Sequence, residues 1–180
     1  TIEKNRAVKS LTNSKSIVNT YNKKFVAEEN LAAGVYTYIV RLKDMPLATY
    51  DGSIAGLAAT NPQIAKKELF AKLAKSKMNA QQIRNELRLD TKSKDSVQYA
   101  NFLASKQADF LTQAQSKLGK NAKVVYQYKN AFNGVALNLT QAEAAKLSSL
   151  DSVAFVERER MEQMDTDSGP IHIGAPQGWE

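Results

Sequence analysis

The chain has 180 residues, of which 43% are hydrophobic and 24% are charged, so it is long enough to bury one core of ordinary size. It contains no cysteine and one histidine, His172, which excludes a disulfide framework, a thiolate metal site, a cysteine nucleophile and a site of several histidines. The net charge is +7, but residues 1–164 hold all 25 Lys and Arg with 15 of the 18 acidic residues, a net charge of +10. The composition therefore changes after Met164.

The first part of the sequence contains one strong strand signal. Residues 1–33 are polar with scattered apolar side chains and indicate a flexible N-terminal arm. They lack the charged start and apolar core of a signal peptide, so we expect any such peptide to have been removed before Thr1. Residues 35–42 predict a β-strand, because aromatic and β-branched residues alternate there. The residues expected on one face of this strand are Tyr36, Tyr38, Val40 and Leu42.

A helical insertion is predicted over about residues 47–95. It begins with a Gly- and Ala-rich loop over 47–60. Asn61 followed by Pro62 is typical of a helix start, since the amide side chain caps the helix and proline suits its first position. A second helical piece is predicted over 79–89, where apolar residues recur at helical spacing.

The rest of the chain predicts a helix, two strands, a helix and a strand. The expected bounds are a helix over 96–118 stopped by Gly119, strands over 123–128 and 135–139, a short helix capped by Thr140 and Glu143, and a strand over 151–156. In the strand over 123–128, Val124, Tyr126 and Tyr128 are expected on one side. Without the insertion the order is β-α-β-β-α-β, which predicts an α+β, ferredoxin-like fold. In this fold both helices cover one face of an antiparallel sheet, and an uncovered opposite face usually binds a partner.

No catalytic constellation is present in the sequence. Asp167-Ser168-Gly169 has the residue types of an aspartic protease triplet, but no apolar strand precedes it and no second copy exists, so we interpret it as chance. Asp165 and Asp167 are two carboxylates without further ligands, which makes a poor metal site. No glycine-rich phosphate loop occurs, and no apolar run approaches the ~18 residues of a membrane span. We predict that this chain is not an enzyme, that it needs no metal or cofactor, and that it does not enter a membrane.

The basic charge leaves a nucleic-acid reading open. Tyr126, Tyr128 and Phe132 lie near lysines, and RNA-recognition domains of this topology stack bases on strand aromatics. The Lys/Arg-Gly-aromatic pattern of those domains is missing, and the strand over 135–139 carries no aromatic pair. A basic RNA-binding ferredoxin-like module is therefore the less favoured alternative.

A block of residues between 126 and 157 carries a family resemblance. Its fixed positions are Tyr126, Tyr128, Phe132-Asn133-Gly134-Val135-Ala136, Leu139-Thr140, Glu143, Leu147 and Asp151-Ser152-Val153-Ala154-Phe155-Val156-Glu157. With the strand at 38–42, this block resembles the N-terminal propeptide of subtilisin-like serine proteases (peptidase S8), the inhibitor I9 family. The loop at 46–57 is similar to propeptides of large secreted bacterial subtilases. Residues 168–179 are similar to the start of the mature protease.

The resemblance implies a role rather than a reaction. Such a propeptide is an intramolecular chaperone for its protease and then an autoinhibitor whose C-terminal tail occupies the substrate cleft, so the full-length precursor would be a zymogen of a serine endopeptidase. The implied partner is the cognate subtilisin-like catalytic domain, with no nucleic acid or membrane, and the free domain would be a monomer. The implied location is secreted or periplasmic after signal peptide removal. The implied domains are the arm 1–33, the propeptide 34–164 and the start of the mature region 165–180.

The resemblance also implies where the functional residues lie. Alignment of the family at Phe155 places the cleavage junction between Met164 and Asp165, with a cut one residue later as the alternative. The residues of the cleft-binding tail would be Met161, Glu162, Gln163 and Met164. In that tail Met164 would occupy the first substrate pocket and Met161 the fourth.

Two further sets of residues are implied to dock on the protease. The family presents two carboxylates to the N-termini of protease helices, and the matching positions here are Glu157 and Glu159. The Phe132-Asn133-Gly134 turn would contribute to the same surface. A free-standing inhibitor that acts in trans is a second interpretation of the same fold, although the mature-like residues 165–180 argue against it.

Overall fold

The computed structural model describes residues 23–160. These residues form a four-stranded sheet and five helices. The strands are β1 (Tyr36–Leu42), β2 (Lys123–Tyr128), β3 (Gly134–Leu139) and β4 (Val153–Arg158), and the helices are α1 (Pro62–Ala65), α2 (Lys67–Ala74), α3 (Ala80–Glu86), α4 (Lys94–Leu118) and α5 (Gln141–Ser148). The α+β class is therefore confirmed, and the predicted insertion contains the three short helices α1 to α3.

The sheet is antiparallel throughout, in the order β2-β3-β1-β4. Tyr38 of β1 lies between Leu137 of β3 and Arg158 of β4. Residues that lie opposite each other in this register have side chains on the same face of the sheet. Along each strand, successive side chains alternate between the two faces. The antiparallel sheet is confirmed, and the ferredoxin-like assignment stays a prediction.

One face of the sheet is covered by α4 and α5 and holds the main core. Both helices contribute buried residues to the cluster that includes the inward residues of three strands. The buried members are Tyr38, Val40, Leu42, Phe110, Ala114, Val135, Leu137, Leu139, Ala144, Leu147, Val153 and Val156. We call this side the covered face and the opposite side the open face. The alternation predicted for β1 is confirmed: Tyr38, Val40 and Leu42 are buried on the covered face, and Ile39 between them lies on the open face.

The face expected for three residues of β2 is wrong. Val124 lies opposite Leu137, but Tyr126 lies opposite Ala136, so the register shifts between Val124 and Tyr126. A β-bulge of this kind inserts one extra residue into a strand and reverses the side on which the following residues point. The bulge therefore places Tyr126 and Tyr128 on the open face and Val124 on the covered face.

The helix ends follow the sequence signals closely. Asn61 accepts a hydrogen bond from the backbone of Gln63 at the start of α1. Gly119 ends α4 with a left-handed backbone (φ 71°), which glycine adopts without a steric penalty. Thr140 and Glu143 form the expected capping box of α5, each side chain accepting from the other's backbone N–H.

The first part of the insertion packs on α4 and forms a second core. The rings of Tyr50 and Tyr99 stack with centroids 3.7 Å apart, and Tyr99 donates a hydrogen bond to the Met45 carbonyl at 2.6 Å. Burial raises the pKa of Tyr99 above its usual range, so the hydroxyl stays a donor. Helices α1 to α3 differ from this loop, because Leu73 is their one buried residue.

Residues 23–33 differ from the flexible arm that we expected. The backbone carbonyl of Lys24 accepts a hydrogen bond from the Val156 backbone N–H at 2.8 Å. Phe25 packs edge-on against Tyr38, with ring centroids 6.0 Å apart. The physical reason is that β4 is an edge strand with free backbone groups, which another extended segment can satisfy. Residues 1–22 lie outside the described part of the chain.

Candidate functional site

The open face carries a continuous row of aromatic rings and one arginine. Tyr126 and Tyr128 have ring centroids 4.7 Å apart, and Tyr128 lies 4.4 Å from Phe132. The guanidinium of Arg41 then lies 4.6 Å from the centre of the Phe132 ring and 4.9 Å from that of Phe155. We call these five residues the open-face row; it runs from β2 across the sheet to β4.

Exposure distinguishes the open-face row from the core beneath it. Tyr126 is 59% exposed and Phe155 is 37% exposed, although both are large and largely apolar. The helices α4 and α5 lie on the other face, where they contact the inward residues of the sheet. A contiguous apolar patch of this kind on a small domain marks an interaction surface. Aromatic residues and arginine are also the types enriched where proteins bind each other tightly.

An ion pair orients the arginine of the open-face row. Arg41 donates to Glu157 Oε1 at 3.1 Å, and the two side chains are 37% and 44% exposed. A pair as exposed as this contributes little to stability because water screens it. Its effect is geometric, since it helps to hold the guanidinium between the rings of Phe132 and Phe155.

The turn between β2 and β3 is fixed from inside the domain. Gln107 is fully buried and donates to the Tyr128 carbonyl at 2.8 Å and to Asn133 Oδ1 at 2.9 Å. Asn133 is 3% exposed and donates in turn to the Asp44 carbonyl at 3.1 Å. This network fixes the backbone on both sides of Phe132, which lies on the open face.

Gly134 occupies a position with no room for a side chain. A Cβ atom at Gly134 would lie 2.7 Å from the Val40 carbonyl oxygen, which is closer than real Cβ contacts allow. Of the three turn residues expected to dock, the structure places Phe132 on the surface and the other two inside the fold. Asn133 and Gly134 therefore position Phe132.

The two predicted docking carboxylates lie at the end of β4. Glu157 is on the open face opposite Ile39, and its neighbour Arg158 points to the covered side, opposite Tyr38. Glu159 is exposed, and its backbone N–H donates to the Thr37 carbonyl at 2.8 Å, so the chain is still paired with β1 one residue beyond β4. The predicted tail Met161, Glu162, Gln163 and Met164, and the junction with Asp165, lie outside the described residues.

A second ion cluster lies at the same end of β4 on the covered side. Glu28 accepts from Arg158 through both carboxylate oxygens, at 2.8 and 3.0 Å, and lies 3.7 Å from Arg160. The hydrogen bond from Arg158 holds the pKa of Glu28 below its ordinary value of 4.5, and the same bond raises the pKa of Arg158. Both groups are therefore charged at neutral pH.

Two features are absent from the described residues, a metal-binding cluster and a membrane-spanning helix. Over residues 23–160, no group of three or more His, Cys, Asp or Glu side chains is placed to hold a metal ion. None of the helices described for this chain combines the length and the apolar composition needed to cross a membrane.

Two members of the open-face row, Arg41 and Phe155, are not among the site residues predicted from the sequence. Alternation along their strands places them on the face opposite the core residues Val40 and Val156. An arginine and a phenylalanine at solvent-facing positions of two neighbouring strands were the available signal.

Comparison with known proteins identifies a family for this chain. A family profile described as peptidase inhibitor I9 matches residues 37–165. A subtilisin-like protease of Arabidopsis thaliana is 34% identical over 87 residues, which cover 46% of this chain and 11% of the relative. The chain thus spans about a tenth of that relative's length. No solved structure matches the chain.

The matched region contains the whole four-stranded sheet except the first residue of β1, all five helices and the open-face row. Inhibitor domains of this type are not themselves catalytic. The similarity to the Arabidopsis thaliana protein relates this domain to subtilisin-like proteases. The expected bacterial origin stays a prediction. Because the profile matches well over half of its residues, the chain belongs to the peptidase inhibitor I9 family.

Proposed function

We propose that this chain is the propeptide of a secreted subtilisin-like serine protease, in which residues 34–164 fold the catalytic domain and then inhibit it, and residues 165–180 begin the mature enzyme. The observation that carries the proposal is the open-face row within an inhibitor I9 domain. This row gives the domain a rigid apolar surface on which the cognate catalytic domain docks. Secretion and the endopeptidase activity of the full precursor are parts of the same proposal.

The open-face row also explains how a chaperone role would arise. A protease domain with many non-local contacts folds slowly, since chain entropy is lost before those contacts form. A preformed surface that binds part of the folding chain lowers that barrier. Arg41 occupies one oxygen of Glu157, so the other oxygen is available to accept an N–H from the N-terminus of a protease helix, with the exposed Glu159 beside it.

Inhibition is proposed to depend on the segment that follows β4. Met164 lies six positions beyond Arg158, a distance of about 20 Å if the segment is extended. Such a segment can add as a strand to the edge of a substrate cleft, with backbone hydrogen bonds giving affinity and alternate side chains entering pockets. Met164 would then occupy the first pocket and Met161 the fourth, with cleavage after Met164 or one residue later.

Inhibition of a subtilisin by the purified 180-residue chain tests this proposal. We expect slow, tight inhibition of peptide hydrolysis and a loss of affinity of about 10- to 100-fold in Phe155→Ala, because hot-spot aromatics typically contribute that much. Val97 is the matched control, since it is a 46% exposed apolar residue on α4, away from the open face. Val97→Ala should inhibit like the parent chain.

Three outcomes would contradict the proposal or redirect it. Equal affinities for Phe155→Ala and the parent chain would show that the open-face row does not dock. Absence of inhibition together with salt-sensitive RNA binding would favour the RNA-binding module, for which the exposed Tyr126 is the specific feature. Inhibition by a chain that its own gene encodes without a protease domain would favour an inhibitor acting in trans.

A further inference from the structure

The N-terminal segment closes the free edge of the strand that leads to the tail. β4 is outermost in the sheet, so its outward backbone groups have no strand partner. The Val156 N–H nevertheless donates to the Lys24 carbonyl at 2.8 Å, and the Lys24 ammonium donates to the Leu150 carbonyl at 3.1 Å. Residues 23–28 therefore hold β4 from outside, and we call them the β4 brace.

Glu28 joins the β4 brace to the last residues before the tail. Its carboxylate receives a two-pronged hydrogen bond from Arg158, across 130 positions of sequence, and Arg160 lies 3.7 Å from the same carboxylate. Two-pronged arginine–carboxylate pairs fix direction as well as distance. The Arg158 and Glu28 side chains are 23% and 32% exposed, so water only partly screens the pair.

The backbone of Glu28 is fixed from a third element. Gln141 is the first residue of α5, and its side chain accepts from the Glu28 N–H at 3.0 Å and donates to the Glu28 carbonyl at 3.2 Å. Glu28 thus holds the end of β4 with its side chain while α5 holds its backbone. Because α5 holds its backbone in place, Glu28 can act as a fixed support for the end of β4.

We infer that Glu28 is a positioning residue for the inhibitory tail. Its ion pairs with Arg158 and Arg160 fix the direction in which the chain leaves β4. This inference rests on the proposed function. Beyond Arg158 the described chain is held to the sheet by the Glu159–Thr37 hydrogen bond, and strand ends fray without further support. In the extended form proposed above, the segment from Arg158 to Met164 would span about 20 Å, so a small change in its starting direction would displace Met164 by an ångström or more.

The first test compares Glu28→Gln with Glu29→Gln in the full chain. Glu29 is the adjacent exposed glutamate, so the control has the same chemistry and the same net charge. We expect Glu28→Gln to weaken inhibition of a subtilisin by about 10-fold and Glu29→Gln to leave it unchanged. Equal inhibition by the two variants would overturn the inference, while inhibition by the parent chain would still support the proposed function.

A double-mutant cycle separates tail positioning from general stability. Met164→Asp places a charge in an apolar pocket and should weaken inhibition on its own; if it does not, the proposed tail insertion fails. If Glu28 acts through the tail, Glu28→Gln should cost much less affinity in the Met164→Asp background than in the parent. An equal loss in both backgrounds would show that Glu28 acts on the docking surface and would overturn the inference.

Hydrogen exchange tests the mechanism without a protease. The amide of Glu159 donates to Thr37 at the very end of the sheet, and we expect it to exchange at least about 10-fold faster in Glu28→Gln. The amide of Val135, in the interior of β3, should exchange at an unchanged rate. Unchanged exchange at Glu159, or equal acceleration at both amides, would contradict a local positioning role.

Discussion

The two faces of the sheet are built from different residues for different purposes. On the covered face, Val40, Val135 and Leu137 are aliphatic and completely buried. On the open face, β1 presents Arg41 and β2 presents the exposed ring of Tyr126, which contact their neighbours through rings and charges. Residues that stabilise the fold and residues that face a partner are therefore neighbours along the same strand, since adjacent side chains point to opposite faces.

Truncation of the covered face should give the largest effect on stability. Leu137→Ala removes a fully buried side chain from the centre of the core, and we expect the free energy of unfolding to fall by about 2–5 kcal/mol. Phe155→Ala on the open face should lower it less, by about 1–2 kcal/mol, because that side chain is already 37% exposed to water. Urea denaturation of both variants checks the difference, and similar losses would break the distinction between the faces.

A methyl group at Gly134 should disturb the close packing of β3 against β1. The added Cβ would meet the Val40 carbonyl oxygen at 2.7 Å, and backbone cannot move aside as a flexible side chain can. We expect Gly134→Ala to lower the free energy of unfolding by about 1–3 kcal/mol. Thermal unfolding measures this, with Gly56→Ala as a comparison in open space, although its φ of 84° adds strain of its own. A Gly134→Ala variant as stable as the parent would contradict the observed strand spacing.

Acid should act mainly through carboxylates on the covered side. Lys120 lowers the pKa of Glu143, and Arg158 lowers that of Glu28, so both groups hold their proton less tightly in the folded chain than in the unfolded one. Their stabilising contribution is complete above their ordinary pKa of 4.5 and is lost as the pH falls through the lowered values. Stability should therefore decrease below about pH 4.5.

Unfolding at several pH values checks this smallest effect. The Glu28→Gln and Glu143→Gln variants should each lose less stability than the parent chain between pH 5 and 3, since the group that titrates has been removed. A steeper decrease in either variant would mean that other carboxylates dominate the acid response.

Local signals account for the parts of the fold that the sequence predicted. The capping box at Thr140 and the stop at Gly119 depend on residues within one turn, and the alternation of β1 depends only on its neighbours along the chain. The bulge before Tyr126 depends on how β2 pairs with β3, and the docking of Lys24 depends on an edge strand more than a hundred residues away. Non-local pairing of this kind has no signature within a short window of sequence.

The same distinction applies to the candidate site. Phe132 follows from the family resemblance, whereas the contacts of Arg41 depend on the sheet, which places its guanidinium between Phe132 of the β2–β3 turn and Phe155 of β4. Asn133 was expected at the surface because the resemblance identifies a turn but not its orientation. Its burial follows from Gln107, a polar residue inside α4 that needs hydrogen-bond partners.

The helical insertion leaves and rejoins the domain at neighbouring points. The backbones of Thr60 and Asn61 both donate to the Tyr50 carbonyl, and the loop at 59–62 lines the same small cavity as residues 93–96 at the start of α4. Residues 63–92 could thus be replaced by a short linker, or exchanged for another module, without displacing β1 or α4. The molecule therefore has a site, remote in sequence from both β4 and the tail, where we expect changes in chain length to be tolerated.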